Sequence, residues 1–202
     1  MSGKTVALPT EFKGAETVRR ALAIAAIGGH SLAFFGPAGC GKSCFRALVP
    51  ELTTFEERLC PCGCRGDRHR LCECTVAQVM RHQRRKRFRQ ALETDMLVEC
   101  STPPAHLLRG RGWTPEAFAA EVAENRARRG ELSGAAQTHG GALPVDAAAE
   151  ELLVYAVRNL AFTMRDRDSA IRVAATIASM DGKATIEASH MAEAIQYRRV
   201  EL

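Results

Sequence analysis

The stretch that decides the fold is Ser31-Leu32-Ala33-Phe34-Phe35-Gly36-Pro37-Ala38-Gly39-Cys40-Gly41-Lys42-Ser43. Ser31 to Phe35 is a short apolar run bounded by glycine, the pattern of a strand buried on both faces in a parallel sheet. Gly36, Pro37, Ala38, Gly39, Cys40, Gly41, Lys42 and Ser43 form a G-x4-G-K-S loop, and Lys42 to Leu48 opens a helix before Pro50. Glycines let successive backbone N–H groups turn toward phosphate oxygens, and the helix N-terminus adds partial positive charge. Lys42 is placed to reach the β- and γ-phosphates, and the Ser43 hydroxyl to bind Mg²⁺. Motif and context agree, so a nucleotide is the expected ligand, ATP first. Cys40 and Cys44 read as small buried side chains within this frame.

Outward from the loop the chain is mainly helical. Ala15 to Ile27 is amphipathic and is stopped by Gly28 and Gly29. Val76 to Leu92 reads as one very basic helix, and Asp95 to Cys100 as a second short strand ended by Pro103 and Pro104. Thr114 caps a helix that starts at Pro115 and runs to about Arg129, with Gly130 to Leu143 as a linker. Asp146 to Leu160, with Leu152, Leu153, Ala156, Val157 and Leu160 as its inner face, Arg167 to Met180 and Ser189 to Arg199 are the remaining helices. Aromatics make up only 5% of the 202 residues, which favours helices packed through small side chains over aromatic-rich β-layers. The expected class is α/β and helix-rich. The expected division is a core over residues 1–104, holding a cysteine knuckle at 60–74 and the basic helix at 76–92, followed by a helical part over 105–202.

The uncharged stretch from Ala21 to Gly41 is long enough for a membrane span but is broken by six residues of Gly and Pro. Met1 to Thr10 has no apolar core of the signal-peptide kind, so a cytoplasmic protein with no membrane partner is expected. Without export, the eight cysteines read as thiols or metal ligands rather than disulfides. Cys60, Cys62, Cys64, Cys72 and Cys74 give five thiols within fifteen residues, enough for a tetrahedral zinc site with one spare. Zinc and free thiols both stay open at this point. Between Arg58 and Arg89 ten basic residues face two acidic ones, leaving the rest of the chain net acidic. The run from Arg81 to Arg89 is either a solvated helix face or a non-specific phosphate-binding surface for DNA, and Phe88 is its only aromatic.

Gly14 to His30 (GAETVRRALAIAAIGGH), running straight into the phosphate loop, resembles the Mg-chelatase-like branch of the AAA+ ATPases, of ComM/YifB type. Cys60-Pro61-Cys62-Gly63 with Cys72-Glu73-Cys74, and Asp168 to Ala178 through Ala194 to Arg198, follow in family order. The resemblance implies a reduced P-loop NTPase core with a C-terminal all-α lid, and Cys60, Cys62, Cys72 and Cys74 as the quartet that matches, leaving Cys64 spare. It also implies that Arg165, opening a lid helix, senses the nucleotide. Members of ComM type move branched DNA junctions, which points the basic run toward DNA. The family would further carry a strand ending in Asp-Glu and an arginine reaching a neighbour's nucleotide. No apolar run here ends in that pair, sixteen residues between Ser43 and Cys60 are too few for a crossover and strand, and Thr94 stands nearest the arginine's place. A Lon-like N-terminal domain is also missing from the pattern.

The reading is an ATP- and Mg²⁺-binding protein whose hydrolysis is absent or very slow, acting as a regulatory or partner subunit. Its alternative is a zinc-dependent, non-specific nucleic-acid-binding module with a remnant loop. Two short strands make a marginal sheet, so self-association or docking on a full-length AAA+ relative is expected.

Overall fold

The computed structural model describes residues 7–67, 69–136 and 143–199. Three four-residue strands, β1 (Leu32–Phe35), β2 (Thr54–Glu57) and β3 (Met96–Glu99), form a parallel sheet in the order β2-β1-β3. Leu32 aligns with Thr54 and Met96, and Phe35 with Glu57 and Glu99. The helices are α1 (Glu16–Gly28), α2 (Lys42–Ala47), α3 (Val76–Gln83), α4 (Lys86–Leu92), α5 (Pro115–Ala136), α6 (Ala147–Asn159), α7 (Met164–Met180) and α8 (Ala188–Gln196).

Strand alternation separates two apolar layers. Leu32, Phe34, Met96 and Val98 face a large cluster built with α1, α5, α6, α7 and α8. Ala33, Phe35 and Leu97 face a small one closed by Phe88 and Ala91 of α4, with the Phe35 and Phe88 rings edge to face at 5.4 Å. Because β1 is covered on both sides, all four of its residues are buried. The large cluster takes residues from Phe12 to Tyr197 and so runs across position 104; a Phe12–Trp113 bridge and their stacked rings, 4.4 Å apart, tie the early chain to the segment before α5.

Two expectations are corrected here. A strand does fit between Ser43 and Cys60, because the crossover from β1 begins at Gly36: the glycine-rich loop and the short α2 are themselves the parallel connection. The sheet therefore has three strands, and its faces are covered, which meets the usual minimum for independent stability. The basic segment is two helices. Arg85 is extended (φ −62°, ψ 144°), with its guanidinium donating to the His82 carbonyl at 3.0 Å and to Glu57 at 3.3 Å. This bend turns Phe88 onto the sheet.

Side-chain caps set the starts of two C-terminal helices. Asp146 accepts from the Ala149 amide, and Thr163 with Asp166 makes a reciprocal capping box that starts α7 one turn before Arg167. Helix α5 continues through Gly130 to Ala136, and the remainder of the expected linker falls largely outside the described residues. On α6 the inner face is Ala149, Leu153 and Ala156, while Val157 is exposed. Among the described residues no helix is long and apolar enough to cross a membrane.

Candidate functional site: a glycine-rich loop at the strand ends

The loop from Gly36 to Gly41 leaves the C-terminal end of β1 and enters α2. Glycine is required at position 36, since a Cβ there would lie 2.1 Å from the Cys100 carbonyl oxygen. Gly39 (φ 88°) and Gly41 (φ 92°) take left-handed conformations that side chains rarely adopt. Lys42 is buried, and its ammonium curls back into the loop, donating to the carbonyls of Gly36 at 2.9 Å and Pro37 at 2.5 Å. Cys40 Sγ lies 3.5 Å from the same nitrogen. A hydrogen bond with Cys100, helped by Lys42, holds the Cys40 thiol down at about 6, while Cys100 is pushed up.

Ser43 Oγ donates to Glu56 Oε2 at 2.7 Å, and Arg46 approaches the other carboxylate oxygen at 3.4 Å. Glu56 is a candidate site residue that the sequence did not disclose. Its neighbour Glu57 points to the opposite face of the sheet, where it is buried between Arg85 and Arg87 at 3.3 and 2.9 Å. No strand of the sheet ends in Asp-Glu; β2 ends instead in a Glu-Glu pair, of which only Glu56 turns toward the loop. A cavity of about 370 Å³ opens beside Gly39, Cys40 and Gly41, with Lys13 and Thr17 on one wall and Glu99, Ser101 and Thr102 on another.

Arg165 lies elsewhere. It pairs with Glu93 at 3.4 Å and lines a cleft of about 390 Å³ with Ser31, Asp95 and Arg172, at the N-terminal ends of the strands. The loop sits at their C-terminal ends, so the structure does not bring Arg165 to the loop of its own chain. Asp95 organises this far end, accepting from Ser31 N (3.1 Å), Ser31 Oγ (2.8 Å), Ser169 Oγ (3.0 Å) and Arg172. Thr94 is buried, its hydroxyl donating to the Ala91 carbonyl at 2.8 Å.

The cysteine segment gathers Cys60, Cys62, Cys72 and Cys74 so that their sulfurs all lie within 4.8 Å of one another. Cys60 and Cys62 are 3.3 Å apart and Cys62 and Cys72 3.7 Å. A tetrahedron with zinc–sulfur bonds of about 2.3 Å has edges of about 3.8 Å, so the set fits a zinc ion. Amides of Arg65 and Cys64 donate to the sulfurs of Cys60 (3.3 Å) and Cys62 (3.4 Å). The Cys64 amide, with Cys60, lowers the Cys62 thiol to about 6. Cys64 itself stands outside the quartet. This knuckle abuts the glycine-rich loop, because the Ala38 amide donates to the Gly63 carbonyl at 2.9 Å.

Residues 10–59 match the family described as magnesium chelatase, subunit ChlI, and residues 116–198 match magnesium chelatase, subunit ChlI C-terminal. The chain belongs to the magnesium-chelatase-like family. The competence protein ComM of Haemophilus influenzae is 42% identical over 59 residues, covering 27% of this chain and 12% of that protein. The chain thus spans a small part of that relative. Family matching covers the loop, Glu56 and Arg165, whereas residues 60–115, with the knuckle, α3, α4 and β3, lie between the two matched stretches. Glu56 gave little signal because Thr54-Phe55-Glu56-Glu57 has one apolar residue; Phe55 alone marks the strand's inner side.

Proposed function

We propose that this chain binds ATP with Mg²⁺ as a reduced P-loop, AAA+-type member of its family, with α5 to α8 as the lid, and acts as a regulatory or partner subunit rather than a motor. The observation that carries the reading is Lys42: a buried ammonium held by two carbonyls of the glycine-rich loop, whose Gly39, Cys40 and Gly41 line a cavity of about 370 Å³. Phosphate oxygens would replace those carbonyls as charge-assisted acceptors. Ser43 is the residue that would hold Mg²⁺, which would offset phosphate charge.

Turnover is expected to be slow. Glu57 is committed to two arginines, and buried Thr94 stands where the resemblance would place an arginine. Arg165 sits at the far strand ends. Loss of a trans-acting arginine costs about 10³ to 10⁵ in rate where one is used. The reading is tested by titrating labelled ATP into wild-type protein and Lys42→Ala; equal binding by both would refute it. Partnership with a second copy or with a full-length AAA+ relative is tested by sedimentation and by pull-down with ATP present; a monomer that captures no such relative would refute it.

The alternative is a zinc-dependent, non-specific nucleic-acid-binding module. Arg81, Arg84, Lys86 and Arg89 are exposed and make no ion pair among the described residues, and the four-sulfur cluster lies just before them. In this reading DNA affinity would fall steeply with salt and survive Lys42→Ala.

A further inference from the structure

Cys40 lies within the glycine-rich loop and Cys100 directly after β3, and the two meet beside Gly36. A Cβ on Gly36 would lie 2.1 Å from the Cys100 carbonyl oxygen and 3.2 Å from Cys40 Sγ, so the bare glycine lets both residues close in. The Cys100 amide donates to the Phe35 carbonyl at 2.7 Å, which fixes that residue to the strand feeding the loop. The two side chains share a hydrogen bond, and both thiols are free. Cys40 Sγ also lies 3.5 Å from the Lys42 ammonium. The bond with Cys100 and the charge of Lys42 favour the Cys40 thiolate against the effect of burial. A thiolate is the reactive form of cysteine. Cys40 lines the cavity of about 370 Å³, within reach of a small oxidant, whereas Cys100 is buried behind it. Gly39, Cys40 and Gly41 belong to one wall of that cavity, and Glu99 and Ser101, on either side of Cys100, belong to another. A bond between the two sulfurs would staple these walls together.

We propose that Cys40 and Cys100 are a peroxide-sensitive thiol pair, and that their disulfide holds the glycine-rich loop against the end of β3 and lowers its affinity for nucleotide. The effect on affinity rests on the nucleotide-binding reading; the thiol pair stands without it. The Cys40 thiolate attacks one oxygen of hydrogen peroxide, the O–O bond breaks, and a sulfenic acid and hydroxide result. The proton that Cys40 gave up neutralises this hydroxide. The Cys100 sulfur then displaces the sulfenic oxygen, the S–S bond forms, and the oxygen leaves with the Cys100 proton as water. Both thiols are oxidised and the peroxide is reduced to water. A covalent S–S bond is shorter than the hydrogen-bond contact it replaces, so oxidation draws the loop toward β3, across the space that phosphates would enter. A thiol reductant reverses the step by exchange.

The test treats wild type, Cys40→Ser and Cys100→Ser, each purified with zinc so that the knuckle thiols stay occupied, with a small excess of hydrogen peroxide. Linked peptides are mapped by mass spectrometry, and affinity for ATP with Mg²⁺ is measured by calorimetry before oxidation, after it, and after dithiothreitol. Wild type should yield a Cys40–Cys100 linked peptide and lose about tenfold or more in ATP affinity, and dithiothreitol should reverse both. Cys100→Ser should form no such link and should accumulate a Cys40 sulfenic acid that dimedone traps. Cys40→Ser should form neither product and bind ATP equally before and after peroxide. Thermal unfolding shows whether the variants are folded, and the wild-type peptide map decides the question even where one is not. Absence of the linked peptide from oxidised, folded wild type overturns the thiol pair. A linked protein that binds ATP as tightly as the reduced one, or an equal loss in Cys40→Ser, overturns the closing of the loop. No ATP binding by reduced wild type overturns the nucleotide reading and the effect on affinity with it, while the linked peptide still decides the thiol pair.

Discussion

Acidification below neutrality should destabilise the protein through His30. His30 follows the left-handed Gly29 that ends α1, and its ring is 4% exposed against α7, with Nε2 2.8 Å from Thr176 Oγ1. The Thr176 hydroxyl donates to the Arg172 carbonyl at 3.2 Å, so the neutral imidazole is the donor in the pair. Gly28 makes room for the ring, since a Cβ there would lie 2.1 Å from Nε2. Burial, and to a lesser extent Arg129 and Arg172, lower the imidazole from 6.5 to about 4 against the opposing pull of Asp95. The unfolded chain therefore binds the proton first. The stabilisation is complete above pH 6.5, falls as pH drops, and is lost by about pH 4. The interval corresponds to about 3 kcal/mol, a large part of the stability of a domain this size. Urea unfolding from pH 7 to 4.5 should show wild type losing about 1.4 kcal/mol per pH unit more than His30→Gln, which keeps a donor for Thr176 but does not titrate. Asp95 is separable: its four hydrogen bonds outweigh its burial and hold it at about 2, so its contribution is present above 3.8 and disappears only below the range tested. Parallel pH profiles for wild type and His30→Gln would refute the assignment.

Asp95→Ala should cost about 2 kcal/mol in urea unfolding, because it leaves the Ser31 amide and Arg172 without their acceptor; a change below about 0.5 kcal/mol, the level of an ordinary surface substitution, would show the cluster to be incidental. Purified protein should carry close to one equivalent of zinc, and a strong chelator or Cys62→Ser should lower both the melting temperature and ATP affinity, since the knuckle braces the loop through Ala38 and Gly63. Less than a tenth of an equivalent of metal in carefully reduced protein would remove the zinc assignment. Phosphate-release assays should find turnover far below the common enzyme range of about 1 to 10³ per second; several turnovers per second, abolished in Lys42→Ala, would contradict the account of a hydrolysis-deficient chain.

What the sequence disclosed follows from how locally each element is determined. Helix α1 has an apolar face and a glycine stop, β1 is an unbroken apolar run, and α6 begins at Asp146, so each is written within about fifteen residues of itself, whereas the Thr163 cap that starts α7 before Arg167 was not read. Strand β2 is not. Its four residues include two glutamates, and they become a strand only because β1 offers a free edge and because Ser43, Arg46, Arg85 and Arg87 satisfy the two carboxylates. The break between α3 and α4 has no glycine or proline to announce it; it is set by Arg85 reaching His82 and Glu57 from opposite sides of the sequence. The loop residues were legible as a group because their chemistry is contiguous. Arg165 was not, because which end of the strands α7 presents to the sheet depends on the packing of α1, α5 and α7 together.

The central claim is that the loop from Gly36 to Ser43 holds nucleotide phosphates, and the most direct measurement is calorimetric titration of ATP with Mg²⁺ into wild type and Lys42→Ala. The account predicts saturable, stoichiometric binding by wild type and a loss of affinity of at least about tenfold in Lys42→Ala, the cost of removing one hydrogen bond to a charged group. Absence of saturable binding by folded wild type, or equal affinity in the two proteins, would contradict it.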